Sequence, residues 1–136
     1  MYDKSSKSSF SVSRIPIEII VGNKGRIKAE LVRHFAPLTI SEILKRLPLS
    51  GRVHYNLDNF CYIQTQLNLG PEKQKKEFKP NDIAYLTLNG SFCFFIKQTT
   101  TAPMNHIGKI ISEIDPIKRV EPTDILTLKQ IVMEYK

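Results

Sequence analysis

The residues best equipped for chemistry lie in one stretch, GRVHYNLDNFCYIQTQ, residues 51–66. It carries a guanidinium (Arg52), an imidazole (His54), a primary amide (Gln64) and the aromatic rings of Tyr55, Phe60 and Tyr62. Asn56-Leu57-Asp58-Asn59 is a turn-forming group, so the runs on either side read as paired strands. Strand alternation then puts Phe60, Tyr62 and Gln64 on one face, with Arg52 and His54 together on a face of the neighbouring strand. Such a set fits a ligand groove across two strands, and it fits an ordinary outer surface equally well.

Other chemistries find less support. No serine sits at a strand-to-helix elbow, so a Ser-His-Asp arrangement is absent. Gly22-Asn23-Lys24-Gly25 is too short for a phosphate loop and precedes a strand rather than a helix. No carboxylate pair has an interpretable spacing. Cys61 and Cys93 lie inside apolar runs and read as buried thiols; two cysteines make no disulfide framework, and no His/Cys spacing suggests zinc. No metal and no cofactor are expected. His54 and His106 read first as hydrogen-bonded structural residues on strands and second as ligand contacts; His34, at a strand end, carries no signal. Tyr55, Tyr62, Phe92 and Phe94 are capable of stacking on bases, yet Phe92 and Phe94 occupy the least polar run and belong in a core.

The chain has 136 residues, 41% of them hydrophobic, which fits one domain with a real core. No apolar run approaches the ~18 residues of a membrane helix, and MYDKSSKSSFSVS has no apolar segment of a secretory signal. A cytoplasmic protein without membrane contact is expected. The formal net charge of +7 permits nucleic-acid binding without arguing for it. Its densest run, EKQKKEFK (Glu72 to Lys79), is diluted by two glutamates and reads as a solvated loop.

These side chains need elements to position them. Residues 1–13, rich in Ser and Lys, read as a disordered tail, and 14–136 as a single domain. From Ile15 a strand, a turn at Gly22–Gly25 and a second strand follow, with Ile27, Ala29 and Leu31 alternating against Arg26, Lys28 and Glu30. Ile40, Ile43, Leu44 and Leu47 make one helical stripe over 39–47, with Thr39 and Glu42 as a capping box and Pro48 as the stop. NLGPEKQKKEFKPND reads as a polar loop, Asn89-Gly90 as a type I′ hairpin turn, and Phe92 to Ile96 as a strand buried on both faces. KQTTTAPMN reads as loop, HIGKIISEI as a strand, Asp115-Pro116 as the start of a helical turn and DILTLKQIVMEY as the last strand. So many short strands with one or two short helices predict a mainly β chain closed into an antiparallel barrel, with helix 39–47 plugging an end.

The order of these pieces resembles the cyclophilin pattern, and more closely the small prokaryotic cyclophilin-like domain family, minimal cyclophilin-fold barrels of unassigned activity. The resemblance is carried by Asn81-Asp82-Ile83-Ala84-Tyr85, by Cys93-Phe94-Phe95-Ile96 and by Asn105-His106-Ile107-Gly108-Lys109-Ile110, within a likeness running from Ile15 to Lys129. Where the family tends to carry Trp-Pro-Pro, this chain has Leu86-Thr87-Leu88, and it has no tryptophan at all. The resemblance implies a cyclophilin-like barrel. Active cyclophilins isomerise Xaa-Pro bonds with an arginine that donates towards the prolyl nitrogen. Arg52, Phe60 and Gln64 are the matching residue types in the matching order, but their spacing is longer and the Gly-Gly-Asp that follows in cyclophilins is missing. The expectation is therefore a non-catalytic binder of a peptide or small ligand, in a groove lined by Arg52, His54, Tyr55, Phe60, Tyr62, Gln64, Met104 and His106. The alternatives are a weak peptidyl-prolyl isomerase and, less favoured, nucleic-acid binding through charge.

Overall fold

The computed structural model describes residues 13–131; the expected tail, apart from Ser13, lies outside the described residues. β1 (Arg14–Val21) and β2 (Gly25–Val32) form the first hairpin, their inward residues Ile17, Ile19, Ile27 and Leu31 fully buried. A 3-10 turn (Arg33–Phe35) leads to α1 (Pro37–Arg46). Then come β3 (Leu49–Asn56), β4 (Phe60–Gln64), β5 (Lys75–Phe78), β6 (Asp82–Leu86), β7 (Ser91–Phe95) and β8 (Thr99–Ile110). A short helix α2 (Asp115–Lys118) and β9 (Ile125–Gln130) complete the order.

Eight strands close into an antiparallel barrel in the order β2-β1-β9-β3-β4-β7-β6-β8, and β8 returns to β2 through Ala29↔Ile110 and Leu31↔Gly108. At that seam a Cβ on Gly108 would lie 2.1 Å from the carbonyl oxygen of Glu30, so the closing strands approach only because residue 108 has no side chain. The interior is filled by aliphatic residues of the other seven barrel strands together with Tyr85 of β6 and with Phe92 and Phe94 of β7. α1 plugs one end with Ile40 and Ile43, both fully buried, as its apolar stripe predicts. α2 sits at the other end, where Pro116 meets Gly25 at the start of β2.

Four local expectations change. Residues 75–78 are not loop: β5 pairs with β8 as a ninth strand outside the barrel, and its Phe78 is fully buried. Residues 99–104, read as loop, are the first half of β8; the pairing irregularity between Lys75 and Glu77 falls opposite Pro103, which has no N–H to offer a ladder. The Thr39–Glu42 capping box does not form. Instead the Glu72 carboxylate accepts the N–H groups of Leu38 (3.1 Å) and Thr39 (2.8 Å), and the Thr39 hydroxyl at 2.7 Å. The β6–β7 connection is a four-residue loop, 87–90, in which Gly90 alone takes positive φ (69°), rather than a two-residue type I′ turn. The strand 91–95 is buried throughout, and Ile96 half-buried. Its alternate residues divide: Phe92 and Phe94 face the interior, while Cys93 and Phe95 belong to an outer layer with Phe60, Phe78, Ala84 and Met104.

Candidate functional site

Strand register sets out the candidate residues on the outside of the barrel. His54 pairs with Tyr62, Tyr62 with Cys93, Cys93 with Ala84, and Ala84 with His106. This row crosses β3, β4, β7, β6 and β8. A second row runs beside it: Gln64 pairs with Ser91 and Ser91 with Leu86. Arg52 lies next to Gln64, each one residue beyond the Val53–Ile63 pair, and Met104 one residue beyond the Asn105–Tyr85 pair. Phe60 opens the row on the other side, opposite Phe95. Alternation therefore brings seven predicted residues (Arg52, His54, Phe60, Tyr62, Gln64, Met104, His106) onto one outer face.

Within that face the side chains divide by depth. Phe60 and Met104 are only 6% and 3% exposed, so they form a floor rather than an open wall. Phe95 stacks on Phe78 (4.7 Å between centroids) and meets Phe60 at a tilt (4.8 Å, 43° between planes), and the β5 ring thereby helps close over Cys93 and Ala84. Arg52, His54 and Gln64 are exposed and Tyr62 half-buried. The His54 and Tyr62 rings stack at 5.2 Å. Among the described residues no hydrogen bond or ion pair holds the Arg52 guanidinium. Ser91 Oγ is buried beside Gln64 without a hydrogen-bond partner among the described residues.

His106 is held more firmly. Its Nε2 lies 3.1 Å from the Gly108 carbonyl oxygen and 3.3 Å from Asp82 Oδ1; both accept, so Nε2 carries a proton and donates. Phe35 stacks on the ring at 4.2 Å and Phe78 meets it edge-on at 5.6 Å. Burial pushes the Asp82 carboxyl up, but the hydrogen bonds from His106 and the Lys79 N–H outweigh it and hold the group below its ordinary range.

Tyr55 stands apart from the other predicted residues. Its hydroxyl donates to the carbonyls of Val120 (3.0 Å) and Ile117 (3.3 Å), tying β3 to the α2 end of the barrel. There it lines a hollow of about 380 Å³ with Leu57, Ile96, Lys97 and Lys118. Both cysteines are free thiols pushed up to about 12 by burial, which makes them poor nucleophiles. Sequence reasoning missed Phe35, Phe78, Asp82 and Ser91 as members or supports of this face. Phe78 gave one signal, a lone aromatic inside a charged run.

The family model described as Cyclophilin-like matches residues 15–129. No curated protein matches the chain. Among solved structures, the solution structure of the hypothetical protein AF2241 from Archaeoglobus fulgidus superposes with a TM-score of 0.74 at 20% identity, over 88% of this chain and 96% of that one. A structure of McbB in complex with tryptophan superposes with a TM-score of 0.67 at 15% identity, over 88% of this chain but 46% of that one. At these identities the two neighbours establish the shared fold. No helix among the described residues is long and apolar enough to cross a membrane.

Proposed function

Because this chain belongs to the cyclophilin-like family across residues 15–129, we propose that it is a binding module which takes an extended peptide across the outer face of β3, β4, β7, β6 and β8. The observation that carries this reading is the stack of exposed His54 on half-buried Tyr62, set beside Arg52 and Gln64 on the adjacent row. Free donors lie next to an aromatic surface, over a floor of closely packed Phe60, Phe95 and Met104. A peptide needs that combination. Arg52 donates to a backbone carbonyl, Gln64 both donates and accepts, and Tyr62 offers its ring to a proline or another apolar side chain. The floor is packed and closed, so the surface is preformed and costs little ordering on binding. No covalent step is involved.

Calorimetric titration with acetyl-Ala-Ala-Pro-Ala-amide tests it. Binding that weakens about tenfold in Tyr62→Ala, the worth of one stacking contact of ~1.4 kcal/mol, supports the reading. No binding at millimolar peptide, or affinity unchanged by both Tyr62→Ala and Arg52→Ala, removes it.

The neighbouring positions of Arg52 and Gln64 favour one second reading, a weak prolyl isomerase. A guanidinium donating to the prolyl nitrogen lowers the amide resonance behind the ~18–20 kcal/mol barrier. Against this, Phe60 and Met104 are covered, and the proline ring would rest on Tyr62 rather than in a pocket. A protease-coupled assay on Xaa-Pro peptides separates the two: acceleration that disappears in Arg52→Ala marks the enzyme.

A further inference from the structure

A second hollow, of about 490 Å³, opens where α1 ends, between the start of β3 and the end of β4. Arg46, Pro48, Ser50, Gln64, Thr65 and Gln66 are among its lining residues, and no lining residue is a carboxylate. Arg46 is exposed, and among the described residues nothing pairs with its guanidinium. The carboxylate one helical turn back, Glu42, bonds Lys45 instead at 3.1 Å and lines a different hollow beside Glu72. Ser50, Gln64 and Gln66 also have no side-chain partners among the described residues. Thr65 is committed: its hydroxyl donates to the Gly90 carbonyl at 2.8 Å and accepts the Leu67 N–H at 3.2 Å.

From this we infer that the hollow is a subsite for a peptide carboxylate, the side chain of a Glu or Asp, or a chain end. A hollow with one uncompensated cation, several free donors and no fixed negative charge is complementary to an anion. The C-terminal end of α1 adds partial negative charge at the same place, so the attraction rests on Arg46. A single planar guanidinium matches a carboxylate two bonds to two, and one cation beside a helix C-terminus balances the single charge of a carboxylate but not the double charge of a phosphate dianion. The inference rests on the peptide reading of the outer face and extends it. Gln64 belongs to both surfaces, so a peptide crossing that face runs on past Gln64 towards Arg46. The module then selects segments with an acidic residue close to the stretch held by Tyr62.

The test begins with the subsite alone. The 15N-labelled protein is titrated to 20 mM with acetyl-glutamate amide, and separately with acetyl-glutamine amide. The expected result is amide shifts at Ser50, Gln64 and Gln66 with the glutamate compound only, reduced by Arg46→Lys and abolished by Arg46→Gln. No shifts, equal shifts with the glutamine compound, or shifts unchanged in Arg46→Gln overturn the inference. In each case binding at the outer face is measured separately, with the neutral Xaa-Pro peptide. Because Arg46 is an exposed surface residue, an otherwise unchanged spectrum shows that the variants fold.

Discussion

Asn105 Nδ2 donates to Thr39 Oγ1 at 3.0 Å, joining the barrel wall to the helix that plugs it. Asn105 Nδ2 also donates to the Gly70 carbonyl, while Oδ1 accepts the Glu72 N–H (3.0 Å) and the Gln74 side-chain amide (3.1 Å). The buried amide thus has all four of its hydrogen bonds. Asn105→Leu leaves several of these partners unsatisfied. The expected loss is about 2–4 kcal/mol, read as a lower urea midpoint with the slope unchanged.

Glu72 carries the pH dependence of that junction. Burial raises its carboxyl, but the bonds from the Thr39 hydroxyl and N–H and from the Leu38 N–H outweigh this and hold it below the ordinary value of 4.5. A carboxyl depressed on folding stabilises above its ordinary value, and the contribution fades as the pH falls through the depressed one. Glu72→Gln is therefore expected to cost about 1 kcal/mol at pH 7 and progressively less below pH 4.5. Urea melts of both proteins at pH 7 and pH 3 check this; a gap that widens on acidification contradicts it.

Phe78 is the one buried side chain of β5, packed in the outer layer against Phe95 and His106. Phe78→Ala is expected to cost about 3–5 kcal/mol and to uncover the apolar ground over Cys93 and Ala84. Reactivity of Cys93 with a thiol reagent, slow in the native protein because of burial, should then rise. Unchanged reactivity in a folded variant would show that β5 does not cover this face.

The parts of the fold that declared themselves in the sequence are those governed by near neighbours. Ile27, Ala29 and Leu31 alternate because one face of β2 is inside, and Ile40, Ile43, Leu44 and Leu47 recur because α1 turns one stripe to the core. What the sequence hid depends on distant partners. Glu72 displaces Glu42 at the helix start from 33 residues away. β5 exposes Lys75, Lys76 and Glu77, so its pattern is that of a loop until the Phe95 ring supplies a place for Phe78. The candidate face follows the same division. Alternation grouped Arg52, His54, Phe60, Tyr62 and Gln64, but could not foresee that a ninth strand would cover part of it. Tyr55, one residue out of phase with His54, turns to the barrel end instead.

The central claim is that the outer face around Tyr62 receives a peptide. A map of backbone-amide shifts on adding acetyl-Ala-Ala-Pro-Ala-amide to the 15N-labelled protein tests it most directly. Shifts concentrated at 52–54, 60–64 and 91–93 are predicted. A spectrum that does not move, or one that moves only around the α2 hollow at Tyr55, Lys97 and Lys118, would contradict it.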